Sequence, residues 1–126
     1  MSNIISKNVL AEKIAADRFN GEVTPMTTDP TELLFAFNTY FKPTCDAIAK
    51  MIGVENFKGG FDEIQQLYRY VLEIDASTDE GKQRLLNAHT LAIQWEAADA
   101  YCKHEAEKLR WKPAEWWKFC WTQAEA

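Results

Sequence analysis

Cysteine is scarce in this chain, three residues among 126, and Cys45, Cys102 and Cys120 are widely spaced and never arranged as Cys-x-x-Cys. An odd number at such spacings excludes a disulfide framework and a four-ligand zinc site as the source of the fold. The thiols read as buried apolar groups. Histidine is scarcer still. His89 and His104 lie fifteen residues apart, about 22 Å along a continuous helix, too far to share one metal ion.

No apolar run approaches the roughly 18 residues needed to cross a bilayer, and the segment from Met1 to Lys7 carries no apolar leader. The expected compartment is the cytoplasm, or the host cytosol if the gene belongs to a phage. Strand-like alternation and internal repeats are both missing. So are the usual signatures of catalysis. Gly-x-Ser-x-Gly is absent, and Gly59-Gly60 lacks the Lys-Ser/Thr of a phosphate loop. Glu96 and Asp99 share a helix side without a Glu-x-x-His partner, which fits a solvated face or an ion pair better than a di-metal site. No catalytic residue, metal ligand or cofactor is therefore expected.

Helical signals are plentiful. Ile5, Val9, Leu10, Ile14 and Phe19 describe an amphipathic helix over 3–20, closed by Gly21, and 21–29 reads as a connecting loop containing Pro25. Asp29-Pro30-Thr31-Glu32 is a start signal, with a capping Asp followed by Pro at the first helical position. The helix it opens meets Pro43, where a kink or break is expected, and ends at Gly53. Phe61, Ile64, Leu67, Val71 and Ile74 mark the core face of a further helix. Ser77-Thr78-Asp79-Glu80 reads as a capping box that opens a long helix to about residue 110.

On that long helix Leu85, Ala88, His89, Ala92, Trp95, Asp99, Cys102, Ala106 and Leu109 share a broad stripe, apolar first and mixed later, whose small residues permit close helix approach. The fold class is all-α: one domain over 1–126, an irregular bundle of about four helices with a short Trp-rich C-terminal helix over 111–126. Four of the five tryptophans fall in that last segment, as Trp111, Trp116, Trp117 and Trp121. Pro113 can open its helix, with Trp111 and Trp116 at the positions of a hydrophobic staple. Aromatics then surround more of the helix than one packing stripe needs.

Charge divides the chain unevenly. Its net is −5, yet residues 103–118 hold five Lys or Arg against three Glu. An acidic body disfavours nucleic acid and favours a protein partner. The expected contact surface is Arg110, Trp111, Lys112, Trp116, Trp117, Lys118 and Trp121, with one face of the last helix in the core and another, near Trp117, Lys118 and Trp121, exposed. The leading expectation is a small non-enzymatic protein that binds and inhibits a protein target, of the anti-defence kind encoded by phages and mobile elements. A homo-oligomer is a further expectation.

The alternative is an oligomeric helical protein that sequesters a nucleotide-like ligand through Trp95, Tyr101 and Lys103. The Tyr40, Phe41, Tyr68 and Tyr70 group could also line a ligand surface, although aromatics at helical spacing more often form core.

Overall fold

The computed structural model describes residues 27–125, so the expected helix over 3–20 and most of the loop over 21–29 lie outside the described residues. The described chain is all-α. Its elements in order are α1 (Thr31–Ala36), a π-helical turn (Phe37–Phe41), α2 (Lys42–Ile52), α3 (Phe61–Leu72), α4 (Asp79–Lys108) and α5 (Pro113–Glu125). Among the described residues there is no strand. No helix of the described residues is long and apolar enough to cross a membrane.

α1 starts one residue later than its sequence signal: Pro30, expected at the first helical position, is instead the cap, its carbonyl accepting from the Leu34 N–H at 2.9 Å, and the residue that braces this start is Asp29. Its carboxylate accepts from the Thr31 backbone N–H at 3.0 Å and from the Thr31 hydroxyl at 2.5 Å. These bonds hold the Asp29 carboxyl below its ordinary range. Of the kink or break expected at Pro43, the structure shows no break: the helix is distorted but continuous, because the preceding turn widens to π geometry and the Lys42 N–H reaches back to the Phe37 carbonyl. A wider turn relieves the clash of the proline ring with the carbonyl one turn earlier. Thr44 meanwhile donates its hydroxyl to the Tyr40 carbonyl at 2.7 Å. Gly53, at φ 79°, then ends α2, with the Val54 N–H bonded to the Ala49 carbonyl at 3.0 Å.

The long helix begins one residue later than its sequence signal. Thr78 is the cap, accepting from the Gly81 N–H at 2.9 Å, while Ser77 bonds to the Asp75 carboxylate. Gly81 sits close against the preceding turn: a Cβ there would lie 1.7 Å from the Asp75 carbonyl oxygen. The other end closes in a Schellman motif. The Trp111 N–H bonds the Ala106 carbonyl and the Arg110 N–H bonds that of Glu107, both at 3.0 Å, with Arg110 left-handed at φ 60°.

α4 is the hub against which α1, the π turn, α2, α3 and α5 all pack. It contributes Ala97, Ala98, Cys102 and Ala106, all buried, and small side chains let neighbouring backbones come close. Bulk comes from the other side. Phe37 and Phe41 stack at 5.5 Å and are wholly buried, so truncating either to Ala would cost about 3–5 kcal/mol. Phe61 departs from the expected core face of α3: it is 81% exposed, while Ile64 and Leu67 make the packing contact.

Candidate functional site

The tryptophans of α5 find their places through the π-helical turn and the loop that follows α2. Trp116 meets Phe41 edge-on at 5.4 Å, and Trp121 meets Phe37 edge-on at 5.0 Å. Trp116 is 2% exposed and Trp121 8%. The expected exposed face at Trp117, Lys118 and Trp121 therefore differs from the structure. Trp121 is core, because two phenylalanines one π turn apart offer ring faces to the edges of two indoles.

Trp117 is half-buried, and its indole N–H donates to the Lys58 carbonyl at 2.7 Å; the Trp121 N–H donates to the same oxygen at 3.0 Å. Lys58 answers with its side chain. Its ammonium sits 5.7 Å from the centre of the Trp121 ring and pairs with Glu125. From the other side Glu63 reaches back, taking the Lys58 N–H at 3.1 Å and the Gly60 N–H at 3.2 Å. The turn at 58–60 is thus clamped between a carboxylate of α3 and two indoles of α5. It also approaches α4. Gly59 has φ 74°, and a Cβ there would stand 2.7 Å from Trp95 Nε1 and 2.8 Å from Phe41 Cζ.

The remaining residues of the expected surface scatter. Arg110, Lys112 and Lys118 are exposed, and Trp111 turns its half-buried ring onto Phe119 at 4.9 Å rather than stapling Trp116. The Lys112 N–H is held by the Glu115 carboxylate at 3.1 Å, the capping bond of α5.

What this framework encloses is a cleft of about 700 Å³ between the clamped turn, α3, α4 and the start of α5. Trp95, Trp116 and Trp117 form its aromatic wall; Ile64, Tyr68 and Phe61 form the opposite one. The indole N–H groups of Trp95 and Trp116 are buried and find no acceptor among the described residues. Polar chemistry at the mouth is sparse. Lys103 ion-pairs with Asp99 at 2.7 Å, so the two charges neutralise one another at the rim.

Of the alternative ligand set, Trp95 and Lys103 reach the cleft and Tyr101 does not; it is buried, 6.0 Å from the Tyr40 ring. Helical phase explains the split. Trp95, Asp99 and Lys103 step by four along one side of α4, whereas six residues from Trp95 to Tyr101 turn about 240° away. Of the Tyr40, Phe41, Tyr68 and Tyr70 group only Tyr68 lines the cleft, and Phe61, expected in the core of α3, joins it there. The signal for this face was the series Phe61, Tyr68 and Leu72 running beside Ile64 and Leu67 on the same helix.

Cys45, Cys102 and Cys120 are buried free thiols, and burial raises the pKa of each, that of Cys120 to about 12. Glu105 is buried and pairs with Lys108 at 3.1 Å. His89 is exposed and His104 buried, and among the described residues no three His, Cys, Asp or Glu side chains are grouped to hold a metal ion. Comparison of the chain with protein-family models, with curated proteins and with solved structures gives no match.

Proposed function

We propose that this chain is a non-enzymatic binding protein that seats an apolar side chain or short helix of a protein target in the cleft between α3, α4 and α5, and so blocks or scaffolds that target. The observation that carries the reading is the continuity of the cleft with exposed apolar surface. From a wall of three tryptophans it runs outward over Phe61, 81% exposed, and Tyr68, 48% exposed, toward Leu72, 84% exposed. Apolar patches of this kind, rimmed by polar side chains, are the usual form of a protein contact, and aromatic anchors in a pocket supply most of its energy.

Charge supports a protein target over a nucleotide. Residues 61–108 hold ten Asp or Glu against five Lys or Arg, and Lys103 at the cleft is already paired. A phosphate would meet repulsion there. Phage-encoded inhibitors of bacterial machinery are a class with this size and charge, which makes bacterial defence proteins the first targets to try.

The test is a display library of helical peptides panned against the full chain and counter-panned against Phe61→Asp and Tyr68→Asp, both exposed positions. Enriched peptides should quench tryptophan fluorescence and bind the variants at least roughly tenfold more weakly, about 1.4 kcal/mol. Absence of enrichment, or equal binding to the variants, removes the reading.

A small-ligand reading has one observation in its favour: the cleft volume lies within the 300–1,000 Å³ span of ligand pockets. A shift in tryptophan emission on adding AMP or ATP, without any peptide enrichment, would decide for it.

A further inference from the structure

The outer face of α3 is self-complementary, and we propose that a second copy of this chain occupies it, antiparallel and related by a twofold axis. The inference rests on the reading of this face as a protein-binding surface and names one occupant of it. Phe61, Gln65, Tyr68 and Leu72 step by four, three and four, the spacing of a coiled-coil seam. All four are exposed, although an amphipathic helix needs only its Ile64 and Leu67 side to hold the body together.

Antiparallel pairing places each seam residue opposite a suitable one. Phe61 faces the partner's Leu72, and Gln65 faces the partner's Tyr68, an amide against a phenol hydroxyl; the twofold axis repeats both pairs. Charge then selects the direction. Asp62 and Arg69 each follow a seam residue by one, so they lie on the same edge of the seam, and both are exposed. In an antiparallel helix pair like edges meet, which brings Arg69 to the partner's Asp62 twice over. A parallel pair would instead set this edge against the side holding Ile64 and Val71, where no charge answers it.

The seam is short. The eleven steps from Phe61 to Leu72 rise about 16 Å, so the dimer forms at micromolar or higher concentration. It also overlies the cleft mouth, since Phe61, Gln65 and Tyr68 line both. Self-association and target binding therefore compete, and the free chain at high concentration covers its own apolar face.

Sedimentation velocity of the full chain from about 10 to 500 µM tests this. The expected result is a monomer–dimer equilibrium that Arg69→Asp or Asp62→Arg alone weakens roughly tenfold, and that the combined swap restores to within about threefold. Leu72→Asp should leave only monomer. A chain monomeric throughout the range, a dimer indifferent to the single charge changes, or a swap that fails to restore association overturns the proposal. Monomeric chain that still enriches cleft peptides in panning discards the self-pairing alone, whereas a charge-swap-obeying dimer that enriches none discards the external target alone.

Discussion

Trp117 and Trp121, one turn apart on α5, share a single acceptor: both indole N–H groups point to the Lys58 carbonyl oxygen, at 2.7 and 3.0 Å. A carbonyl has two lone pairs, so both donors are satisfied. The wall of the cleft and the turn beneath it are one hydrogen-bonded unit.

Because the acceptor is shared, the two bonds should not add. Trp117→Phe or Trp121→Phe alone leaves the carbonyl one donor; together they leave it none, in a half-buried turn where an unmet acceptor costs about 1–3 kcal/mol. The double variant should lose roughly 1 kcal/mol more than the sum of the singles, as measured by urea unfolding in a double-mutant cycle. Losses additive within about 0.5 kcal/mol would contradict the shared bond.

Arg110 holds a left-handed backbone, φ 60°, at the C-terminal stop of α4. An L side chain there costs about 1–2 kcal/mol, part of which glycine gives back through its freer unfolded chain. Arg110→Gly should stabilise the protein by about 0.5–1 kcal/mol and Arg110→Val should destabilise it. Thermal unfolding of the pair reads both signs, and a lower Tm for the glycine variant would refute the strain.

Gly81 inverts a general rule. Replacing a helical glycine by alanine ordinarily gains up to about 1 kcal/mol. Here the new Cβ would fall 1.7 Å from the Asp75 carbonyl oxygen, forcing the turn that precedes α4 to move. Gly81→Ala should cost about 2–3 kcal/mol in chemical denaturation. A neutral or stabilising result would show that the turn is not held there.

The thiols predict both reactivity and a pH dependence. Burial raises the pKa of Cys45, Cys102 and Cys120, the last to about 12, so the folded state keeps protons that the unfolded state releases above its ordinary thiol pKa of about 8.5. The stability these thiols contribute is fully present below that value and is lost as pH rises through the window toward 12. Native protein at about pH 8 should resist iodoacetamide at all three positions, and denatured protein should react at all three. Rapid modification of folded protein, read by mass spectrometry, would oppose the assignment.

Much of the helical frame could be read from punctuation in the sequence. Asp29, Gly53 and Pro113 act on their own backbone neighbours, so each marks its boundary without knowledge of the tertiary fold. Pro43 was half legible for the same reason: its local penalty announced a disturbance of the helix, but that this takes the form of a continuous π turn depends on Phe37 and Phe41 packing on elements far along the chain. The tryptophans were less legible still. Their spacing showed a surplus of aromatic faces, yet which face was core depended on Phe37 and Phe41, more than seventy residues away in the sequence. Trp95 and Lys103 could be grouped by phase along α4. Joining them to Phe61 and Tyr68 needed the clamped turn, which no local pattern announces.

The shared carbonyl also has a kinetic meaning. Its two bonds span 59 and 63 residues, so their closure costs far more chain entropy than the turns within each helix, and contacts of that reach are favoured late in folding. Substitutions at Trp117 or Trp121 should then fall on the unfolding rate and leave the folding rate nearly unchanged. Trp117, which lines the cleft, and Trp121 behind it are therefore expected to dock late in folding and to release early in unfolding.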